Sequence, residues 1–219
     1  MDAAAFVEQL GASNQEVLSR LAPAETLVAE SGGDLRLENL LKIALRNEME
    51  ATEIAARWLT STDDVETKLA LARQAGDEAK HYRLIQDHLH ALGVDLSDFD
   101  PLAQGFGPLT AYLATLADTV ERVAAGQFTR ESIAVVKNQQ FIDYCNAHGY
   151  TDTAALYRDT IQKDEEYHHL LGRKLLLRLA TTPEAQERAR AAAQRTLELA
   201  EELQHLALTK MGVHHAPGC

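Results

Sequence analysis

Two short stretches of this sequence share one pattern: Asp77-Glu78-Ala79-Lys80-His81 and Asp164-Glu165-Glu166-Tyr167-His168, both reading DExxH. A glutamate and a histidine three residues apart stand one helical turn from each other on the same face, so both can bind one metal ion. The direction of that face is what makes the pattern informative. Glu78 and His81 share their stripe with Leu71, Ala75, Tyr82, Ile85 and Leu89; Glu165 and His168 share theirs with Tyr157, Ile161, Leu171 and Leu175. These are inward faces. A carboxylate in an apolar core costs on the order of several kcal/mol unless something compensates its desolvation. No lysine or arginine falls on either stripe, and a divalent metal is the simplest compensation.

Two further glutamates break apolar stripes in the same way. Glu48 interrupts Leu41, Ala44, Leu45, Ala51, Thr52, Ala55 and Trp58, while Glu50 and Glu53 fall off that face. Glu131 lies among Phe128, Ala134, Val135, Phe141, Ile142 and Cys145, together with Asn138. Register tests whether these acids can meet, because residues facing each other across an antiparallel helix pair are equidistant from the connecting turn. Midway between Glu48 and Glu78 lies Asp63, inside the turn-forming run Ser61-Thr62-Asp63-Asp64; midway between Glu131 and Glu165 lies His148, next to Gly149. Both pairs are level. Glu121 in place of Glu131 would be roughly 15 Å out of register at 1.5 Å per residue. An overlapping Glu166-x-x-His169 pair remains as an alternative, rotated about 100° from the stripe set by Ile161 and Leu175. Four carboxylates and two imidazoles form a hard, oxygen-rich donor set that suits iron or manganese.

The elements that must position these residues are all helical. The 219 residues are 46% hydrophobic but 5% aromatic, rich in residues that lose little side-chain freedom in a helix, and no alternating run predicts a strand. The spacing predicts an opening helix over 3–20, a short stretch from Pro23 to the Ser31-Gly32-Gly33 stop, and core helices over 36–60 and 65–92. A crossover over 94–108 carries Pro101, Gly105 and Gly107. Helical pattern resumes at Leu109 with a break near Gly126, continues over 129–147 and 152–180, and ends in a helix over 183–211. The chain reads as a single domain, 1–219, with a core over about 36–180 and terminal helices over about 3–32 and 183–211.

Lys and Arg number 21 against 33 Asp and Glu, a net charge of −12 that disfavours nucleic acid and anionic membrane surfaces as partners. No apolar run approaches 18 residues, and Met1 to Phe6 lacks a signal peptide's flanks, so a cytoplasmic location is expected. Two cysteines, Cys145 and Cys219, are too few for a disulfide framework. Cys145 reads as core, and the His214-His215 pair as part of a terminal tail.

One glutamate from each of two helices plus Glu-x-x-His from each of two others resembles the ferritin-like di-iron or di-manganese carboxylate superfamily. The resemblance implies a ferritin-like four-helix bundle with a long crossover between its second and third core helices. It also implies two ions per chain, iron or with manganese replacing one or both: Glu48, Glu78 and His81 on one, Glu131, Glu165 and His168 on the other, with Glu78 and Glu165 bridging. Asp77 and Asp164 would accept the outer imidazole N–H groups. In this family such a centre serves either a dioxygen-activating oxidase or hydroxylase, or a ferroxidase or peroxide-handling protein.

The chain lacks the cysteine pairs of a rubrerythrin electron-transfer domain. Ile85 stands where similar ribonucleotide reductase subunits carry a radical tyrosine, and Val135 where many similar hydroxylases carry a threonine. The expectation is therefore an oxidase or hydroxylase acting with dioxygen or peroxide on a small or acyl substrate. An electron donor protein and a homodimer are compatible with it. Ferroxidase chemistry is the alternative, and a non-catalytic metal-stabilised helical interaction module the third reading. Tyr82, Tyr144, Tyr167 and Trp58 are candidates for a pocket wall or an electron relay, with core filling as their plainer role. The Gly105-Phe106-Gly107 segment reads as a mobile stretch able to line an entrance.

Overall fold

The computed structural model describes residues 1–21 and 35–209, and among them every regular element is helical. The stretch expected at 23–33 and the His214-His215 tail lie outside the described residues. Helix α1 spans Ala3–Leu21, α2 Leu37–Thr60 and α3 Val65–Ala91. The last two pack along each other as an antiparallel pair. Asp64 starts α3 by accepting from the Thr67 N–H at 2.8 Å and the Thr67 hydroxyl at 2.7 Å, which satisfies a donor that the first turn leaves open. Beyond α3, Gly93 takes a left-handed φ of 80° that a side chain would disfavour, and the chain turns into the crossover.

Far from hanging loose, the Gly105-Phe106-Gly107 segment is tied to α2. The Gly107 N–H and the Arg46 Nε each donate to Glu50 Oε1 at 2.9 Å, Arg46 Nη2 donates to the Gly105 carbonyl at 3.1 Å, and the Arg57 guanidinium lies 4.5 Å over the Phe106 ring. Glu50 is thus buried off the inward stripe and spent on holding the crossover. Helix α4 (Pro108–Thr115) follows, with proline at its first turn where no N–H is needed.

A continuous rod then runs through α5 (Thr119–Arg122), a π-helical stretch π1 (Val123–Arg130) and α6 (Glu131–Ala147). The expected break near Gly126 is therefore a widened turn, not an interruption. All eight residues of π1 are buried, and burial on every side outweighs glycine's poor helix preference. After Gly149, with φ 77°, a second rod comprises α7 (Thr151–Leu156), a π-helical stretch π2 (Tyr157–Ile161) and α8 (Gln162–Leu179). Helix α9 (Pro183–Thr209) covers π1 and α5, and α1 lies against α6, α8 and α9. Helix α8 touches α6, π1 and α3, which brings the two DExxH segments together. No helix among the described residues is long and apolar enough to cross a membrane.

Candidate metal centre

The inward stripes of α2, α3, α6 and α8 deliver Glu48, Glu78, His81, Glu131, Glu165 and His168 to one place, each 2% exposed or less. His81 Nδ1 lies 3.4 Å from Glu48 Oε2, 3.4 Å from Glu78 Oε2 and 3.7 Å from Glu165 Oε1. His168 Nδ1 lies 3.6 Å from Glu165 Oε2, 3.7 Å from Glu78 Oε1 and 3.9 Å from Glu131 Oε2. Two groups, each able to hold a metal ion, result: Glu48, Glu78, His81 and Glu165, and Glu78, Glu131, Glu165 and His168, with donor atoms all within 4.8 Å of one another in each. Glu78 and Glu165 belong to both groups, one oxygen directed to each imidazole. Metal–ligand bonds of about 2.0–2.2 Å put neighbouring donors about 3 Å or a little more apart, so modest tightening around an ion suffices.

The outer nitrogens are held across the helix pair. His81 Nε2 lies 3.1 Å from Asp164 Oδ2, and His168 Nε2 lies 3.2 Å from Asp77 Oδ2, so each DExxH aspartate serves the histidine of the other copy. An N–H on Nε2 leaves Nδ1 as the inward donor. Each aspartate has its own cation: Lys80 Nζ at 2.5 Å from Asp164, and Arg73 Nε at 3.2 Å from Asp77.

Inside, Glu48 Oε1, Glu131 Oε2, Glu165 Oε2 and both Nδ1 atoms are buried without a hydrogen-bond partner among the described residues. Orphaned buried polar atoms are costly, and here they converge on one point. Burial pushes the Glu48 carboxyl up to about 7, against the pull of His81. Burial, together with Glu78 and Glu131, holds Glu165 well above the usual carboxylate range. Burial also opposes charging of the imidazoles, yet Glu48 and Glu78 beside His81, and Glu131 and Glu165 beside His168, outweigh it and raise both to about 12. Any ion taking Nδ1 must displace that proton.

Sequence reasoning missed a cation at this site. Arg130, one residue before Glu131, is 6% exposed, and its Nη1 donates to Glu131 Oε1 at 2.9 Å and lies 4.0 Å from Glu78 Oε1. The stripes of Glu78 and Glu165 carry no lysine or arginine, but Arg130, at the end of π1, reaches the inward acids from a neighbouring helix. Gln74, one turn before Glu78, donates through Nε2 to the same Glu131 oxygen at 2.6 Å. Glu131 Oε1 is therefore doubly held and Oε2 is its open donor. Despite burial, Arg130 keeps the Glu131 carboxyl well below the usual range.

The aromatic candidates lie elsewhere. Tyr144 donates to the Leu35 carbonyl at 2.8 Å, and Tyr167 sits under Arg73 at 4.1 Å on the outer surface. Tyr82 is half-buried, and Trp58 packs on Gly126. The phenol whose charge would feel Glu48 and Glu165 is that of Tyr157, fully buried on π2 with an unpartnered hydroxyl. Position on the α8 stripe was the available signal. Glu121 stays on α5, outside the cluster. The alternative pair separates: Glu166 is exposed, and His169 Nδ1 meets the Phe128 carbonyl and Ser132 Oγ, each at 2.8 Å, beside a cleft of about 410 Å³ against α1. Neither the models of known protein families nor the curated proteins give a match to this chain.

Proposed function

We propose that this chain is a binuclear non-haem iron protein with a ferritin-like four-helix bundle, using dioxygen to oxidise or hydroxylate a small or acyl substrate. The observation that carries the reading is the sharing of Glu78 and Glu165 between two buried Glu/His groups whose unpartnered oxygen and Nδ1 atoms converge. The donor set fits: six side chains, four of them hard carboxylates, suit iron or manganese better than zinc. Iron held there would supply the electrons that reduce dioxygen.

The chain's own residues set the conditions for that chemistry. Asp164 and Asp77 fix the imidazole orientation, with Lys80 and Arg73 holding the aspartates. Gln74 and Arg130 restrict Glu131 to one open oxygen, and the apolar cluster of Leu45, Ile85, Phe141 and Ile161 keeps water from the inner ends of the helices.

Protein produced with iron should contain about two ions per chain by metal analysis. Glu131→Ala should lose one of them, whereas Glu121→Ala should retain both. Mixing the reduced protein with dioxygen, with and without candidate small and acyl substrates, tests the reaction: substrate-dependent product with dioxygen consumption is expected. Oxidation of excess Fe(II) into a mineral by a cage-sized particle would replace this reading with iron storage, and a chain that binds no transition metal would end it.

A further inference from the structure

The cleft beside His169 is walled by α1, π1, α6 and α8, and none of its lining side chains belongs to the inward acidic cluster. Its volume of about 410 Å³ falls within the range of small-molecule pockets, about 300–1,000 Å³. Leu18, Phe128, Val135, Val136 and Leu170 give it an apolar wall, and Leu170 is 54% exposed. Gly11 is the part of the wall that local structure does not explain. It stands inside α1 without a positive φ, where glycine is less favourable than alanine. A Cβ there would meet Phe128 Cζ at 3.7 Å, an ordinary contact. Neither backbone strain nor crowding calls for glycine. What it does is leave the cleft open opposite Phe128.

The donors of the inner wall are spent on the protein itself. Asn14, 3% exposed, gives its Nδ2 to Thr129 Oγ1 at 2.9 Å, and Ser132 Oγ donates to the Phe128 carbonyl at 2.6 Å. His169 Nδ1 faces the same carbonyl at 2.8 Å; a carbonyl can only accept, so this nitrogen carries the hydrogen. What stays open are acceptors, Asn14 Oδ1 and the exposed carboxylate of Glu166, neither with a partner among the described residues. The exposed Gln15 amide can serve as either, and no lysine or arginine lines the cleft. We propose that the cleft binds a small apolar molecule carrying a protonated amine, its hydrocarbon body on Phe128, Val135 and Leu170 and its ammonium group meeting these acceptors. An ammonium group brings donors only, and both Glu166 and the net charge of −12 attract it. A small carboxylic acid would set a second anion against Glu166.

The test titrates the full chain, as purified, with 2-phenylethylamine in a calorimeter. The alcohol 2-phenylethanol and the acid 3-phenylpropionate keep the ring and chain but make the head group neutral or anionic. The expected result is one amine per chain, bound at least about tenfold more tightly than the acid, with the alcohol between them. Glu166→Gln should bring the amine to within about twofold of the alcohol. Gly11→Leu fills the space opposite Phe128 and should abolish amine binding, with an unchanged far-ultraviolet dichroism spectrum and an unfolding midpoint no lower than wild type. Photolysis of 4-azidophenethylamine on wild type, followed by peptide mapping, locates the site without any substitution.

Failure of the amine to bind, or equal affinity for the acid, would overturn the proposal. Amine binding unchanged in Glu166→Gln, or in a folded Gly11→Leu chain, would do the same. If Gly11→Leu does not fold, the photolabel decides: label on the peptides of α1, α6 or α8 that line the cleft, displaced by excess 2-phenylethylamine, supports the site, and label elsewhere overturns it. None of the lining residues is in the acidic cluster, so each result leaves the metal reading where it stood.

Discussion

The hydroxyl of Tyr157 is buried beyond the reach of solvent and has no hydrogen-bond partner among the described residues, while burial and the charges of Glu48, Cys145 and Glu165 keep its proton firmly on. An unmet donor of this kind costs about 1–3 kcal/mol. Removing the oxygen should therefore help the metal-free protein: Tyr157→Phe is expected to be about 1 kcal/mol more stable than wild type in urea denaturation after chelation. If the hydroxyl serves the centre, that gain should shrink once metal is bound. A metal-free variant no more stable than wild type would show that the hydroxyl is already satisfied. The contrast with Glu131 explains what was legible in the sequence. Glu131 stood out because a carboxylate on an apolar stripe is an anomaly and the position of the 148–149 turn fixed its level. Tyr157 sat on an equally good stripe but read as filling, since an aromatic ring there breaks no rule. Arg130 was missed for a different reason: it lies one residue from Glu131, off the apolar stripes of the DExxH helices, and its long side chain reaches the acids from there.

Both π-helical stretches stand before residues of the inward acidic cluster, π1 ahead of Glu131 and π2 ahead of Glu165, and neither has a clear mark in the sequence. Hydrophobic spacing of three and four residues locates helices and their glycine stops, as at Gly93 and Gly149, but it carries no information about one extra residue in a turn. What holds π1 in place is close packing on two sides. A Cβ built on Gly126 would lie 2.6 Å from Trp58 Cζ3, and one on Gly172 of α8 would lie 2.5 Å from the Gln127 carbonyl carbon and 2.7 Å from the Phe128 nitrogen. The second contact is with backbone, which cannot swing aside. Gly172→Ala should cost about 1–3 kcal/mol by overpacking and weaken metal uptake by shifting Arg130 and Glu131. Gly76→Ala, on exposed α3 surface with nothing within 4 Å, is the matched control and should stabilise by about 0.5–1 kcal/mol. Denaturation midpoints compare the two; equal effects would mean that π1 and α8 can separate freely.

At the scale of the whole molecule, the inward charges tie folding to pH, and would tie it to any metal that the cluster binds. His81 and His168 have pKa values raised to about 12 in the folded chain, against about 6.5 when unfolded. Below 6.5 both states carry the protons and the stabilisation is fully present; above it the unfolded chain releases them while the folded chain does not. Stability of the metal-free protein should therefore fall as pH rises, by about 1.4 kcal/mol per pH unit for each histidine. Glu165, raised well above the carboxylate range by burial, acts in the same direction, and Glu48, raised to about 7, does so up to that pH. Glu78 and Glu131 are lowered, so their contribution is lost only as pH falls below the ordinary carboxylate range and leaves the alkaline window untouched. Bound metal replaces those protons, so its affinity should climb with pH and its stabilisation with it. Thermal unfolding of chelated protein between pH 7 and 9 should show a declining midpoint. The metal-loaded protein should stay nearly level, so that the gap between the two widens steadily. A chelated protein whose midpoint is flat or rising across that range would mean that the imidazoles are neutral without metal, and that the four carboxylates are balanced some other way.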